Sequence, residues 1–234
     1  MCAKLVVLDA PRVSHCGASA LLLDAEGPLS LQTQQRIWAL DRTVRNWQEV
    51  TDAQVGLNSL LIVVDPLTTD TEPLAMRFLA EWNGTTAWSG NGRTLEIGIV
   101  YGGAAGRHLR EVADRLGVSP SRVAELHSAG NYTVFAPGTG PGFGFLFGLD
   151  RRLHLPRRPE PQMVPNGPNL SMAGAQTSLG PPLKPGEEPS LVPSGWYALG
   201  HAPASPIPFD FSKTPPNVLD LGDCIRFRIE RVET

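Results

Sequence analysis

Gly222-Asp223-Cys224-Ile225-Arg226-Phe227-Arg228-Ile229 carries the clearest strand pattern in this chain. Ile225, Phe227 and Ile229 alternate with Arg226 and Arg228, the period of a strand with one buried and one wet face. Such a strand needs partners. Just upstream, Pro137 to Pro216 holds 17 prolines and 11 glycines in 80 positions, of 22 and 24 in the 234-residue chain. That density is where disordered segments begin. Yet Phe143, Phe145, Leu146, Phe147, Trp196, Tyr197, Leu199, Phe209 and Phe211 are embedded there, and disordered chains are poor in such residues. The stretch is therefore read as folded. Short strands joined by Pro/Gly turns imply a β-barrel or sandwich.

Further upstream, Leu95 to Tyr101 alternates as a strand ending in Gly102-Gly103. Leu109, Val112, Ala113 and Leu116 line one face of a helix expected over 107–116, with Gly117 as its C′ residue. Ser119-Pro120 opens the next helix, and Tyr132 to Phe135 is a strand. Before these, strand and helix signals alternate. Leu5 to Leu8, Ala20 to Leu23 and Leu60 to Val64 read as strands. A helix runs from an N-cap at Ser30 through Arg45, with Ile37, Leu40, Val44 and Trp47 on one face. Thr71 and Pro73 open another. Asn83-Gly84 and Ser89-Gly90-Asn91-Gly92 mark a boundary. The fold class is α+β: a small N-terminal α/β sandwich domain over 1–90, then a β-barrel domain over 91–234.

Composition excludes several classes. The net charge of −3 argues against nucleic-acid binding. Leu109 to Ser128 has helix-turn-helix spacing, but Arg122 is the single basic residue of its second helix, so it reads as a packed helical hairpin. No apolar run reaches a membrane span, and Asp9, Pro11 and Arg12 break the N-terminal run, so no signal peptide is expected. Cys2, Cys16 and Cys224 form no CxxC pair, which fits a reducing cytoplasm. His15-Cys16 is the one close Cys/His pair, and no metal site is expected.

Few segments carry chemistry by spacing alone. Gly138 to Gly144 lacks the Lys of a Walker loop and opens no helix, so a tight turn explains it as well as a phosphate loop does. His127 and Ser128 are adjacent on a helix and point about 100° apart, which disfavours a base–nucleophile pair. His108 reads as a surface residue. Pro156-Arg157-Arg158 and Ala173-Gly174-Ala175-Gln176-Thr177 place guanidinium, amide and hydroxyl groups on loops of the β domain. Arg suits bidentate recognition of carboxylate or phosphate. Asn169, Gln176 and Thr177 are donors suited to a developing oxyanion. Solvated loop residues are the bland reading of the same groups.

At these residues the sequence resembles the B subunit of bacterial ATP-dependent 5-oxoprolinase. That family is also called allophanate hydrolase subunit 1, or the Kip-type inhibitor of a sporulation histidine kinase. The resemblance is carried by Val100-Tyr101-Gly102-Gly103, Leu126-His127-Ser128, Tyr132-Thr133-Val134, Pro141-Gly142-Phe143 and Gly148-Leu149-Asp150. It continues through Pro156-Arg157, Val164-Pro165, Ala173 to Thr177, Gly195-Trp196 and Gly222 to Phe227. It runs from about Ser30 to the C-terminus. It implies a cyclophilin-like barrel behind the α/β domain and a heteromer with a C-subunit homologue (allophanate hydrolase subunit 2-like). With the A subunit, the assembly opens the 5-oxoproline lactam to glutamate using ATP, which this chain would share with its partner. Related domains in urea carboxylase transfer carboxyl groups.

The resemblance makes the barrel loops a cleft for a small lactam or amide. Arg157, His127, Gln176 and Thr177 are then the catalytic candidates, with Arg157 for the anion. Tyr132, Phe143, Asn169, Trp196 and His201 are the substrate-binding candidates. Two other readings stand beside it: a non-enzymatic Kip-type regulator docking on a histidine kinase, and a member recruited to another small-molecule transformation. The chain departs from the family pattern in these loops. Thr139 and Phe145 replace a Phe and a Tyr. A second Pro-Arg is Pro161-Gln162, Pro-Ala-Gly-Ser-Val is Pro165 to Asn169, and Gln-Thr-Gly is Gln176-Thr177-Ser178. The usual Tyr-Pro is Gly180-Pro181, and Pro-Gly-Gly-Trp is Pro193 to Trp196. Losing an Arg and a Tyr removes a charge and a phenol from the cleft.

Overall fold

Leu60, Ile62 and Val64 put three apolar side chains on one face of a single strand, and the N-terminal unit is built on that face. A computed structural model describes residues 7–89, 92–138 and 143–234. By its internal contacts the chain divides into two units, Met1–Gly90 and Asn91–Thr234. In the first, strands β1 (Arg12–His15), β2 (Ala20–Asp24), β3 (Val50–Val55) and β4 (Ser59–Val64) form one antiparallel sheet in the order β1-β2-β4-β3. Helix α1 (Leu31–Val44) starts where Ser30 accepts a hydrogen bond from the Thr33 amide. Asp70 does the same for Glu72 at the start of α2 (Thr71–Gly84). Ile37, Leu40 and Val44 of α1 and Leu74, Phe78 and Trp82 of α2 share a core with Leu21, Leu23, Leu60 and Ile62. The expected strand at Leu5–Leu8 lies partly outside the described residues, as does Cys2 entirely; Val7 and Leu8 are not strand. The edge strands β1 and β3 had no apolar alternation to announce them.

The second unit is a closed seven-stranded barrel. Its strands are β5 (Thr94–Gly102), β6 (Tyr132–Ala136), β7 (Phe145–Phe147), β9 (Asn169–Ala173), β10 (Gln176–Leu179), β12 (Tyr197–His201) and β13 (Cys224–Glu233). Their order is β10-β7-β6-β13-β5-β12-β9. Strands β8 (Gln162–Pro165) and β11 (Leu191–Ser194) pair as a separate two-stranded ribbon. The Pro/Gly-rich stretch thus holds strands β7 to β12 among its described residues. The closing strand β13 lies parallel to β5 and antiparallel to β6, with Ile225 opposite both Leu95 and Tyr132. A fully buried carboxylate sets that register. Asp223 accepts from the Arg93 amide at 3.0 Å, Arg93 Nε at 2.7 Å and the Asp220 amide at 2.9 Å.

Helices α3 (Leu109–Leu116) and α4 (Pro120–Ser128) form the expected hairpin. Gly117 ends α3 at φ +66°, a left-handed position that favours glycine. Leu109, Val112 and Ala113 of α3 and Val123, Ala124 and Leu126 of α4 enter the barrel core. Arg122 is paired with Glu125 at 2.8 Å. His108, expected at the surface, is instead buried. Its Nδ1 accepts from the Ala198 amide at 2.9 Å, and Nε2 lies 2.9 Å from Gln162 Oε1. Both partners come from the far end of the chain, so nothing local foretold it.

Candidate functional site

Alternation along the strands sorts the candidate residues onto two sides of the barrel wall. Leu146 of β7, Leu170 and Met172 of β9 and Leu179 of β10 point into the core. Phe145, Phe147, Asn169, Ser171, Ala173, Gln176 and Ser178 therefore share the outer face. Register places Gln176 beside Phe147 and Ala173, and Ser171 beside Ser178. His201 pairs with Asn169 and joins the same face.

Thr177, between Gln176 and Ser178, points inward and is fully buried. There it meets His127 of α4, also with no exposed surface. The donor directions follow from the partners. Thr177 Oγ1 donates to the Ser171 carbonyl at 2.8 Å, so it accepts from His127 Nε2–H at 3.0 Å. Nδ1 then carries no proton and accepts from the Tyr101 hydroxyl at 2.9 Å. Tyr132 donates its own hydroxyl to the His127 carbonyl at 2.7 Å. Burial lowers the His127 pKa to about 3 and raises those of Tyr101 and Tyr132, so all three stay neutral near pH 7. His127, Thr177 and Tyr132 are thus one satisfied network inside the barrel, and none of them opens onto the outer face. Phe143 is also a core residue, lining a separate hollow of about 470 Å³ with Val134, Phe209, Leu219 and Leu221.

Arg157 and Trp196 do come together. The Arg157 guanidinium carbon lies 5.6 Å from the Trp196 ring centre. Trp196 stacks on Phe145 at 6.0 Å with the planes 26° apart, which sets this shelf against the outer face of β7. The two neighbouring arginines have different fates. Arg158 is mostly buried and paired with Glu111 of α3. Burial pushes the Glu111 carboxyl up, but its bonds to Arg158 and Arg115 outweigh this and hold it below the usual value. Arg157 is exposed and has no carboxylate partner among the described residues. The Gln176 side-chain amide and the Ser171 hydroxyl are likewise unpaired among the described residues. Asn169 Nδ2 donates to the Pro165 carbonyl at 2.6 Å, and His201 Nδ1 is buried without a partner among the described residues.

The arrangement offers a cation, an aromatic wall and two uncommitted hydrogen-bonding groups. It suits a small, flat anion with a carbonyl or amide. Phe145 and Gln162 stand out in the sequence only as departures from the family pattern, not as site candidates, and Ser171 does not stand out at all. The Phe145-Leu146-Phe147 alternation was a usable signal for the first. For Gln162, which stands where the resembled family carries Arg, the His108 bond is visible only in three dimensions. Residues 139–142 of the glycine-rich segment lie outside the described residues. Among the described residues no group of three or more His, Cys, Asp or Glu is placed to hold a metal ion, and no helix is long and apolar enough to cross a membrane.

Comparison with known proteins is consistent along the chain. Residues 11–219 match the family model of the carboxyltransferase domain, subdomain C and D. The chain is 32% identical to the B subunit of 5-oxoprolinase from Haemophilus influenzae, over 92% of this chain and 96% of that one. Among solved structures, TTHA0988 superposes with a TM-score of 0.71 at 30% identity, over 92% of this chain. The match spans only 40% of TTHA0988. The urea amidolyase of K. lactis shares the fold, with a TM-score of 0.75 at 15% identity over 98% of this chain and 15% of that one.

Proposed function

The chain belongs to the carboxyltransferase subdomain C and D family, as a divergent relative of the 5-oxoprolinase B subunits, and from that premise we propose that it is the B-type component of an ATP-dependent 5-oxoprolinase. The observation that carries this reading is the uncommitted Arg157 guanidinium beside Trp196, next to an Arg158 already neutralised by Glu111. 5-Oxoproline is a five-membered lactam bearing one carboxylate. Arg157 pairs with that carboxylate, and Trp196 and Phe145 wall the ring. Gln176 and Ser171 hydrogen-bond the lactam amide and the oxygen that gains charge when water attacks its carbonyl. Asn169 and His201 lie farther along the same face. His127 and Thr177 brace the wall from inside and do not touch the substrate.

An unactivated lactam is a poor electrophile, and phosphorylation of its carbonyl oxygen by ATP supplies a leaving group. Among the described residues the face offers the unpaired Arg157 guanidinium and no cluster of carboxylates for the magnesium of a nucleotide. We therefore place ATP on a surface shared with, or belonging to, the partner components: a C-subunit homologue and an A-subunit homologue. The reduced Cys16 and Cys224 support a cytoplasmic setting. A second reading, the Kip-type regulator, is favoured by the exposed Met163, Leu191 and Val192 on the β8–β11 ribbon, which suit a protein partner. Co-expression with the A- and C-subunit homologues followed by an assay of 5-oxoproline-dependent ADP release tests the proposal. A stable complex with turnover is expected; no complex and no turnover overturns it.

A further inference from the structure

Arg157 is presented by a segment that is fastened on both sides of it. The Gly174 amide donates to the Leu155 carbonyl at 2.6 Å, and the Arg158 amide to the Gly195 carbonyl at 2.8 Å. The Arg158 side chain is paired with Glu111. The last fastening is the 2.9 Å contact between Gln162 Oε1 and His108 Nε2. No fastening uses the Arg157 side chain, which is left to lie over Trp196.

We propose that His108 and Gln162 form a proton-dependent latch that positions Arg157 for its anion. This rests on the reading of Arg157 given above. The tautomer is fixed by geometry. The Ala198 amide donates to His108 Nδ1, so that nitrogen is bare, and the ring hydrogen sits on Nε2, where it is donated to Gln162 Oε1. The His108 amide also donates to the Ala198 carbonyl at 3.1 Å, so ring and backbone both tie to one residue of β12. Tyr197 meets the ring edge-on at 6.2 Å. Only the neutral ring satisfies all of these contacts. A proton added at Nδ1 would face the Ala198 N–H, donor against donor, and push the ring away from β12.

The surroundings keep the ring neutral near pH 7. Burial lowers its pKa, and Arg158 and Arg107 act in the same direction; the Gln162 bond and Glu111 oppose them without prevailing. Tyr197, from β12, is the titratable side chain that strand turns toward the ring. Acid therefore opens the latch, and the affinity of Arg157 for a carboxylate falls as pH drops through the titration of His108.

The test uses the full chain, 15N-labelled, with L-5-oxoproline as the probe. Its carboxylate stays ionised across pH 5–8, as α-carboxyls titrate at about 3.5. The dissociation constant is read from the Arg157 Nε–H resonance or, in variants lacking it, from the Trp196 indole resonance. Wild type should lose roughly tenfold in affinity below the His108 titration. Gln162→Glu keeps an acceptor for Nε2–H but adds a charge that favours the protonated ring, so the loss should set in about one pH unit or more higher. Gln162→Leu should bind weakly at every pH while melting within a few degrees of wild type. A Gln162→Glu profile superimposed on that of wild type overturns the latch and leaves the site reading standing. If wild type does not bind, or Arg157→Ala binds as tightly, the site reading falls and the latch falls with it.

Discussion

Replacing Thr177 by valine preserves side-chain shape and removes one oxygen from a fully buried place. In the wild-type chain that oxygen accepts from His127 Nε2–H at 3.0 Å and donates to the Ser171 carbonyl at 2.8 Å. Valine leaves a buried imidazole N–H with no acceptor, at a cost of about 1–3 kcal/mol, and removes one bond to Ser171 worth about 1 kcal/mol. The expected loss is about 2–4 kcal/mol. The barrel unit, Asn91–Thr234, has roughly 140 residues, and its unfolding entropy near Tm is about 0.3 kcal/mol/K. The loss therefore corresponds to a Tm drop of about 7–13 °C by scanning calorimetry. Thr177→Ser keeps both hydrogen bonds and gives up one methyl group, about 1 kcal/mol. The order wild type, then Ser, then Val is the prediction. A Val variant at least as stable as the Ser variant refutes the bracing role assigned to the His127 network.

Asp223→Ala removes the acceptor of two backbone amides and of Arg93, and should destabilise the barrel by about 2–4 kcal/mol in urea titrations; a loss under about 1 kcal/mol would show that the clasp does not set the β13 register. His127, with its pKa lowered to about 3 from 6.5, should keep the 15N shifts of a neutral Nε2–H ring at pH 5. The unfolded chain binds that proton from about pH 6.5 downward while the folded chain does not, so stability present above pH 6.5 is lost as pH falls toward 3. A His127 ring that titrates near pH 6.5 contradicts this. Arg158→Ala should lower Tm through the loss of the Glu111 pair, whereas Arg157→Ala should leave Tm unchanged; equal effects on Tm contradict the separation of the two arginines.

Much of the architecture was legible because it rests on local periodicity. The Ile225-Phe227-Ile229 alternation, the Ser119-Pro120 start of α4 and the spacing of Ile37, Leu40 and Val44 each report which face is buried, and burial follows. What stayed hidden depends on distant partners or lacks apolar contrast. Strand β3 sits at a sheet edge, so Thr51, Asp52 and Gln54 are exposed and give no alternation. His108 is buried by Ala198 and Gln162, 90 and 54 positions away. Arg157 and Arg158 are indistinguishable as neighbours in sequence, because what separates them is Glu111, 47 positions upstream. The opposite orientations of Gln176 and Thr177 were available from the strand period. Grouping them by motif concealed that one faces the outside and the other the core.

Arg157, on the aromatic shelf outside the barrel, is the group proposed to hold the substrate anion. The measurement that bears on that role most directly is kcat/KM for 5-oxoproline in the assembly with the A- and C-subunit homologues, wild type against Arg157→Ala. Loss of a charge-assisted bidentate pair costs about 3 kcal/mol, so kcat/KM should fall about 100-fold with Tm unchanged. A variant within about threefold of wild type would contradict the claim and place the anion elsewhere.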